Sequence, residues 1–294
     1  MHRTIRAAVA ASSLLVVQGD ILASGDGIPF RTLLLSGGQA SGAEAGVTVG
    51  RIFGVALNDF GEAVLSADLV PVGGEAVTLN AVYSVAATSE TTLIAQTGDQ
   101  VPGLQDGVQH SRLSMPRLNN AGDFLFGSLI SGPWIDFGSN RAIVADVGGE
   151  GLSVVAQTGS EAPGLQAGVT FTRLGFATLN ELGEIAFLGD VFGIQETRSG
   201  GPAGASGRGG VGESGQAIFT SRGASGLSPI AVTGDPAPGF EGKVIYRSFI
   251  GSEPVLNAAG DMAFFAQVEG SGIDEGVRNV VFRDLEGSGL QPLV

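Results

Sequence analysis

The chain has 294 residues, 43% of them hydrophobic, with 15 Lys and Arg against 29 Asp and Glu, a formal net charge of −14 and no cysteine. That acidity argues against nucleic acid or an anionic membrane as partner, since both are bound through cationic surface. The missing cysteine removes a disulfide framework and thiolate chemistry, while the apolar content suffices for a sizeable core.

At the N-terminus, Arg3 and Arg6 precede the apolar and small-residue stretch from Ala7 to Val17, and Ala23, Ser24 and Gly25 offer small residues before Asp26. This is the layout of a secretory signal peptide over residues 1–25, too short to span a membrane. A competing reading makes Leu14 to Val17 the degenerate first strand of an incomplete unit, aligned with Val82 to Val85.

Beyond residue 25 the chain repeats itself. Asn, two variable residues, Gly and an acid recur as Asn58 to Glu62, Asn119 to Asp123, Asn180 to Glu184 and Asn257 to Asp261, at separations of 61, 61 and 77 residues. A second signature precedes each one: Ser36 to Gly42, Thr97 to Gly103, Thr158 to Gly164 and Thr233 to Gly239, its fullest form being Thr-Gly-Asp-x-x-Pro-Gly. The distance from its last Gly to the Asn is 16, 16, 16 and 18 residues. Two motifs in fixed register mean a tandem array of one structural unit.

Residue type makes that unit β. In the third copy, runs at about Arg141 to Asp146, Leu152 to Gln157, Val169 to Leu179 and Glu184 to Val191 are short, rich in β-branched and aromatic residues and bounded by turn residues. Forty-nine glycines suit a chain of many short strands and tight turns. No stretch reads as a substantial helix. The expected fold is all-β, with four-stranded repeats of about 61 residues forming a β-propeller of four to five blades. Repeats centred on Asn58, Asn119, Asn180 and Asn257 make one domain over residues 26–294, with a partial unit at 279–294 that either completes the first sheet and closes a ring or leaves the array a truncated piece.

The motifs read first as turns. Asn can bond its own backbone, and Gly three positions on supplies positive φ, so Asn58/Gly61, Asn119/Gly122, Asn180/Gly183 and Asn257/Gly260 are expected to be hairpin corners, each joining the third strand of a unit to the fourth. The acids after the glycines, Glu62, Asp123, Glu184 and Asp261, form either a carboxylate ring about a central axis or, more commonly for charged side chains, solvated residues at strand entries. In the Thr-Gly-Asp column the residue is Gly38, Asp99, Ser160 or Asp235, so a ligand role falls only to Asp99 and Asp235.

Two interruptions of the repeat stand out. Residues 196–215 are nearly all Gly, Ser, Ala, Arg and Pro, a flexible loop by composition. The equivalent connection in the second copy holds Trp134, the only Trp, with Asp136 and Phe137 beside it. That trio suits stacking on a sugar ring; against it stands the commoner role of a lone Trp, a packed loop anchor.

The paired signatures resemble those of bacterial extracytoplasmic proteins with tandem NxxGxxAF repeats, best in Leu179 to Phe187 and Leu256 to Phe264. Copies one and two depart from it, with Val64-Leu65 and Leu125-Phe126 in place of Ala-Phe. The resemblance implies an exported repeat protein of a group with varied surface anchors, and it carries no catalytic set.

The functional expectation is a non-catalytic module, secreted or at the cell surface, that binds an extracellular glycan or protein, with no membrane span in the mature chain and no cofactor. Enzyme readings lack residues: the two histidines, His2 and His110, build no triad or His-based metal site. The alternatives are a propeller-type glycan hydrolase or lyase with carboxylates in its central channel, and a Ca2+-stabilised array that no motif supports.

Overall fold

The computed structural model describes residues 32–293 except 72, 74–78, 195–212, 223–225, 250, 252, 272, 274–276 and 286–288. Residues 1–25 lie outside that set, as does most of the Gly-rich loop. The described residues are all-β and contain no helix. The first sheet is β1 (Thr48–Leu57), β2 (Ala63–Val70), β3 (Leu79–Val85) and β4 (Thr91–Gln96). The second is β5 (Gln109–Leu113), the short β6 (Arg117–Leu118), β7 (Phe124–Ser131), β8 (Arg141–Asp146) and β9 (Ser153–Gln157). The third is β10 (Thr170–Leu179), β11 (Ile185–Ile194), β12 (Glu213–Thr220) and β13 (Ser228–Val232). The fourth is β14 (Val244–Ser248), the short β15 (Val255–Leu256), β16 (Met262–Gly270), β17 (Val277–Leu285) and β18 (Gly289–Leu293). Each is an antiparallel meander, and strand pairing does not cross from one sheet to another. The all-β tandem expectation is borne out.

Consecutive sheets pack face to face, so the second and third sheets are covered on both faces, which explains why their second strands read as near-continuous apolar runs. On β7, Phe124 and Phe126 face a core shared with Val64, Val82 and Ala95 of the first sheet. The intervening Leu125 faces the opposite way, into a core shared with Phe187 and Phe219 of the third. Ala186 and Ile218 of the third sheet pack in turn against Phe264 and Phe282 of the fourth. Small or aliphatic residues on the trailing face of one sheet thus meet an aromatic column on the leading face of the next. Each fully buried Phe contributes on the order of 2–3 kcal/mol in transfer free energy. At the corner end the short β6 lies against β1 and β10, and β15 lies against β10, while Arg117 before the second corner reaches Glu253 before the fourth at 3.6 Å. The sheets therefore fan out from their first strands, as blades do.

Both repeated motifs act between sheets. In Thr-Gly-Asp the Thr hydroxyl caps its own sheet, accepting from Asn80 N at 3.0 Å (Thr97), Arg141 N at 3.1 Å (Thr158) and Gln216 N at 3.0 Å (Thr233). The next residue, Gly98, Gly159 or Gly234, donates its N–H to His110, Phe171 or Tyr246 on the first strand of the following sheet. Adjacent residues thus hold consecutive blades.

The corners form a ladder. Asn58, Asn119 and Asn180 each accept a bond at Oδ1 from the acid's backbone N–H and donate from Nδ2 to that acid's carboxylate at 2.8 Å. The same Nδ2 then donates to the backbone carbonyl of the next corner's Asn, at 3.2, 2.8 and 3.2 Å. The carboxylates lie against the next corner's Gly. A Cβ added at Gly183 would sit 3.0 Å from Asp123, and one at Gly260 2.7 Å from Glu184. Glycine is thus required there for its φ near +76° and +88° and for the missing side chain. At Gly61 and Gly122 only the backbone demands it. Their φ values are +79° and +86°, yet a Cβ on Gly61 would meet nothing within 4 Å and one on Gly122 would touch Glu62 only at 4.0 Å.

Some expectations need correction. The corners at Asn58/Gly61 and Asn119/Gly122 do not join a third strand to a fourth: the first links β1 to β2 and the second links β6 to β7, at the start of their sheets. The same holds at Asn180/Gly183, between β10 and β11, and at Asn257/Gly260, between β15 and β16. The repeat frame is therefore shifted by two strands, because each sheet begins after a Thr-Gly loop rather than at the strand that opens at Arg141. The acids form neither an axial ring nor a solvated row: each is turned back on its own Asn, and Asp123 is buried. Segment 279–294 is not a partial unit; β17 and β18 pair with β16 and each other and complete the fourth sheet. Within the Gly-rich stretch, Glu213 to Gly215 are strand, paired with Val191 to Ile194.

The ladder predicts unequal costs. Asn119→Ala strips three bonds from a buried corner and should cost about 2–4 kcal/mol, whereas Asn257→Ala at the last, exposed corner should cost about 1 kcal/mol or less. Denaturant titration of both variants checks this, and equal losses would refute the ladder's role.

Candidate functional site

Between β7 and β8 the connection makes a tight, self-braced loop. Ile135, half-buried, packs against the core under the second sheet and donates its N–H to Gly132 O at 3.2 Å. Asp136 then organises the second half of the loop. Its Oδ1 accepts from Gly138 N and from the Ser139 hydroxyl, both at 2.9 Å, while its own N–H donates to Ser139 Oγ at 2.9 Å. The Ser139 hydroxyl and then the Gly138 amide hold the Asp136 carboxyl below its ordinary range.

On this braced turn Trp134 and Phe137 stand 86% and 93% exposed. Trp134 is not the packed anchor that a lone Trp usually is; Ile135 does that work. Trp134 also has φ +68°, a left-handed conformation that costs a non-glycine residue on the order of 1–2 kcal/mol. A strained backbone presenting a solvated indole is a cost that folding alone does not explain.

The other expected binding residues lie apart from this loop. Asp99 Oδ2 accepts from Gln96 N at 2.9 Å, closing its own turn. Asp235 lines a cavity of about 870 Å3 between the third and fourth sheets, with Leu165, Val169, Ile194, Phe240 and Lys243 among its walls. Partial enclosure raises the Asp235 carboxyl above its usual range. Trp134, Asp136, Phe137 and Asp99 are absent from that lining. Among the described residues no group of three His, Asp or Glu side chains comes together that could hold a metal ion.

Sequence reasoning missed two clusters. Arg222 reaches Asp284 Oδ2 at 2.5 Å, donates to the Gly260 carbonyl and lies 4.0 Å from Glu184 Oε1, clasping the third blade to the fourth corner. Nothing in the repeat marks it, because the equivalent in the second sheet is a backbone bond from Gly148 N to Asp123. The second cluster brings Asp99, His110 and Ser128 together, a trio that spacing alone does not predict. His110 is buried with Nδ1 2.8 Å from Ser128 Oγ, and the Ser128 hydroxyl donates to Leu129 O at 2.9 Å. Both groups are buried, out of solvent's reach. Such an arrangement packs a core rather than activating a nucleophile. In the third and fourth sheets the same places hold Phe171 with Gly189 and Tyr246 with Ala266.

Burial lowers the His110 pKa, with the Asp99 charge pulling weakly upward. The unfolded chain takes up a proton near pH 6.5 that the folded chain refuses. Stability is therefore full above that pH and falls as the pH drops below it. The melting temperature should decline between pH 7 and 5, and the decline should shrink in the double variant His110→Phe/Ser128→Gly, which copies the third sheet. An unchanged slope would remove His110 as its source.

A family model described as a family of unknown function (DUF7453) matches residues 12–201 and 202–294. No curated protein matches the chain. Among solved structures, a protein of unknown function from Dyadobacter fermentans DSM 18053 is 13% identical with a TM-score of 0.35, covering 81% of this chain and 67% of that one. The periplasmic gluconolactonase PpgL of Pseudomonas aeruginosa is 15% identical with a TM-score of 0.29, covering 92% of this chain and 75% of its own.

Proposed function

Because the chain belongs to the DUF7453 family of unknown function, we propose its role from its surface: a non-catalytic module, exported from the cell, that holds an extracellular glycan on the loop at Trp134. The observation that carries this reading is Trp134 itself, solvated and held at positive φ on a turn braced by Asp136. Indole and phenyl faces pack on the apolar face of a sugar ring, and a nearby carboxylate accepts its hydroxyl protons. Export rests on the leader-like layout of residues 1–25. Among the described residues, no helix is long and apolar enough to cross a membrane.

The rival enzyme reading has less behind it. Carboxylates beside the first strands are engaged with arginines: Asp68 with Arg51 at 3.6 Å, Asp190 with Arg173 at 2.7 Å and Glu269 with Arg247 at 3.3 Å. An acid so paired is already engaged by a cation, whereas cleavage of a glycan needs two carboxylates free to flank the scissile bond.

A glycan array probed with the purified chain and with Trp134→Gly tests the proposal. The variant should lose binding at least tenfold while its melting temperature holds or rises, since glycine relieves the backbone. Binding that survives Trp134→Gly/Phe137→Ala would overturn the loop's role.

A further inference from the structure

The Thr-Gly loops that open the third and fourth sheets leave a space between them that is bridged one unit earlier. Between the loops at 97–108 and 158–169 the β7–β8 connection spans the gap. A Cβ on Gly107 would meet Pro133 at 3.3 Å and one on Gly159 would meet Ser139 at 2.9 Å, and Gln157 Nε2 donates to Ser139 O at 3.3 Å. In the next pair of loops the same places are Gly168 and Gly234, and a Cβ on either would meet nothing within 4 Å. What remains there is the cavity of about 870 Å3, a size that suits a small-molecule ligand. Leu165, Val169, Ile194 and Phe240 give it apolar walls.

Asp235 and Lys243 line the same cavity, and the side chains of both are free of structural duty. In the equivalent turns the residue after the Gly is bonded to its own turn: Asp99 Oδ2 accepts from Gln96 N at 2.9 Å and Ser160 Oγ donates to Gln157 O at 2.7 Å. Among the described residues the Asp235 carboxylate takes no such bond. Its raised carboxyl is that of an anion that loses water without gaining a partner. Lys243, the only lysine in the chain, forms no ion pair among the described residues, with Asp235 or with any other acid. One cavity thus offers a negative point, a positive point and apolar wall, and the two charges stand too far apart to satisfy each other. A ligand complementary to it carries both signs on an apolar body. A neutral sugar brings neither charge, and a fatty acid brings only the negative one. A free amino acid brings both, but on a single carbon. A short peptide separates its ammonium from its carboxylate and puts side chains between them.

We propose that this cavity binds a short apolar peptide, with its N-terminal ammonium on Asp235, its C-terminal carboxylate on Lys243 and its side chains against Leu165, Ile194 and Phe240. Isothermal titration calorimetry of the purified full chain with trileucine should show saturable binding. N-acetyl-trileucine, which lacks the ammonium, and trileucine amide, which lacks the carboxylate, should each bind about tenfold or more weakly, the loss expected for one charge-assisted hydrogen bond. Two variants give the matching signatures. Asp235→Asn should bring trileucine down to the level of the acetylated peptide and leave the acetylated peptide itself unchanged; Lys243→Gln should do the same with respect to the amide. Both residues are exposed, so the circular dichroism spectrum and melting temperature should hold. Absence of binding at millimolar trileucine would overturn the proposal, as would binding that neither blocked terminus nor either variant weakens. Weakening by acetylation alone would overturn it too, because an apolar amine would then suffice. Trp134→Gly should leave trileucine binding unchanged, so failure of the glycan reading and failure of this one are separable.

Discussion

A single side-chain amide, donated from one hairpin corner to the backbone of the next, sets the spacing of this molecule. Asn58, Asn119 and Asn180 each use one Nδ2 to hold both their own acid and the following corner. Hydrophobic packing is non-directional and would tolerate many angles between two sheets. A hydrogen bond near 3 Å tolerates few. The ladder therefore turns three apolar interfaces into a fan of fixed pitch, and the Thr-Gly hinges repeat the constraint at the other motif. The acid matters because it occupies the second amide hydrogen and seats its carboxylate on the neighbour's glycine.

The cores show how the remaining freedom is used. With small residues trailing and aromatics leading, each interface is filled from one side. The place held by Phe171 can accept His110 or Tyr246 provided the residue opposite is adjusted, as Gly189, Ser128 and Ala266 are. Among the described residues the buried phenols of Tyr83 and Tyr246 meet no hydrogen-bond partner, and burial raises both above the ordinary phenol range. These are tolerated polar tips in apolar space, costs that a large shared core absorbs. Surface specialisation is left to connections outside the ladder, which is why the Trp134 loop can hold a strained residue without disturbing a blade.

Much of this was legible in the chain. Period 61 and the strand runs came directly from residue order, since a strand's character is local and a repeated unit states it several times. The Asn-x-x-Gly corners were legible as turns for the same reason: Asx bonding and positive φ are properties of a few neighbouring residues. Their place in the sheet was not. Whether Arg141 opens a blade or stands third in one, and so whether Gly61 and Gly122 close the first turn of a sheet or its last, depends on which strands pair. Pairing is decided by long-range burial on both faces. His110 meeting Ser128, and Arg222 bridging Glu184, Gly260 and Asp284, depend on residues 18 to 62 positions apart and leave no trace in spacing.

The sequence by itself determined the repeat period, the β character of the units and the chemistry of each turn, because those follow from short-range sterics and hydrogen bonding within a motif. Only the tertiary structure decided what the motifs are for. It turned the acid column inward onto its own asparagines, made the fourth sheet whole and opened a cavity beside Asp235. It also lifted Trp134 out of the core into solvent. Each of those outcomes rests on which surfaces meet across sheets, and burial is a property of the assembled array that no single segment carries.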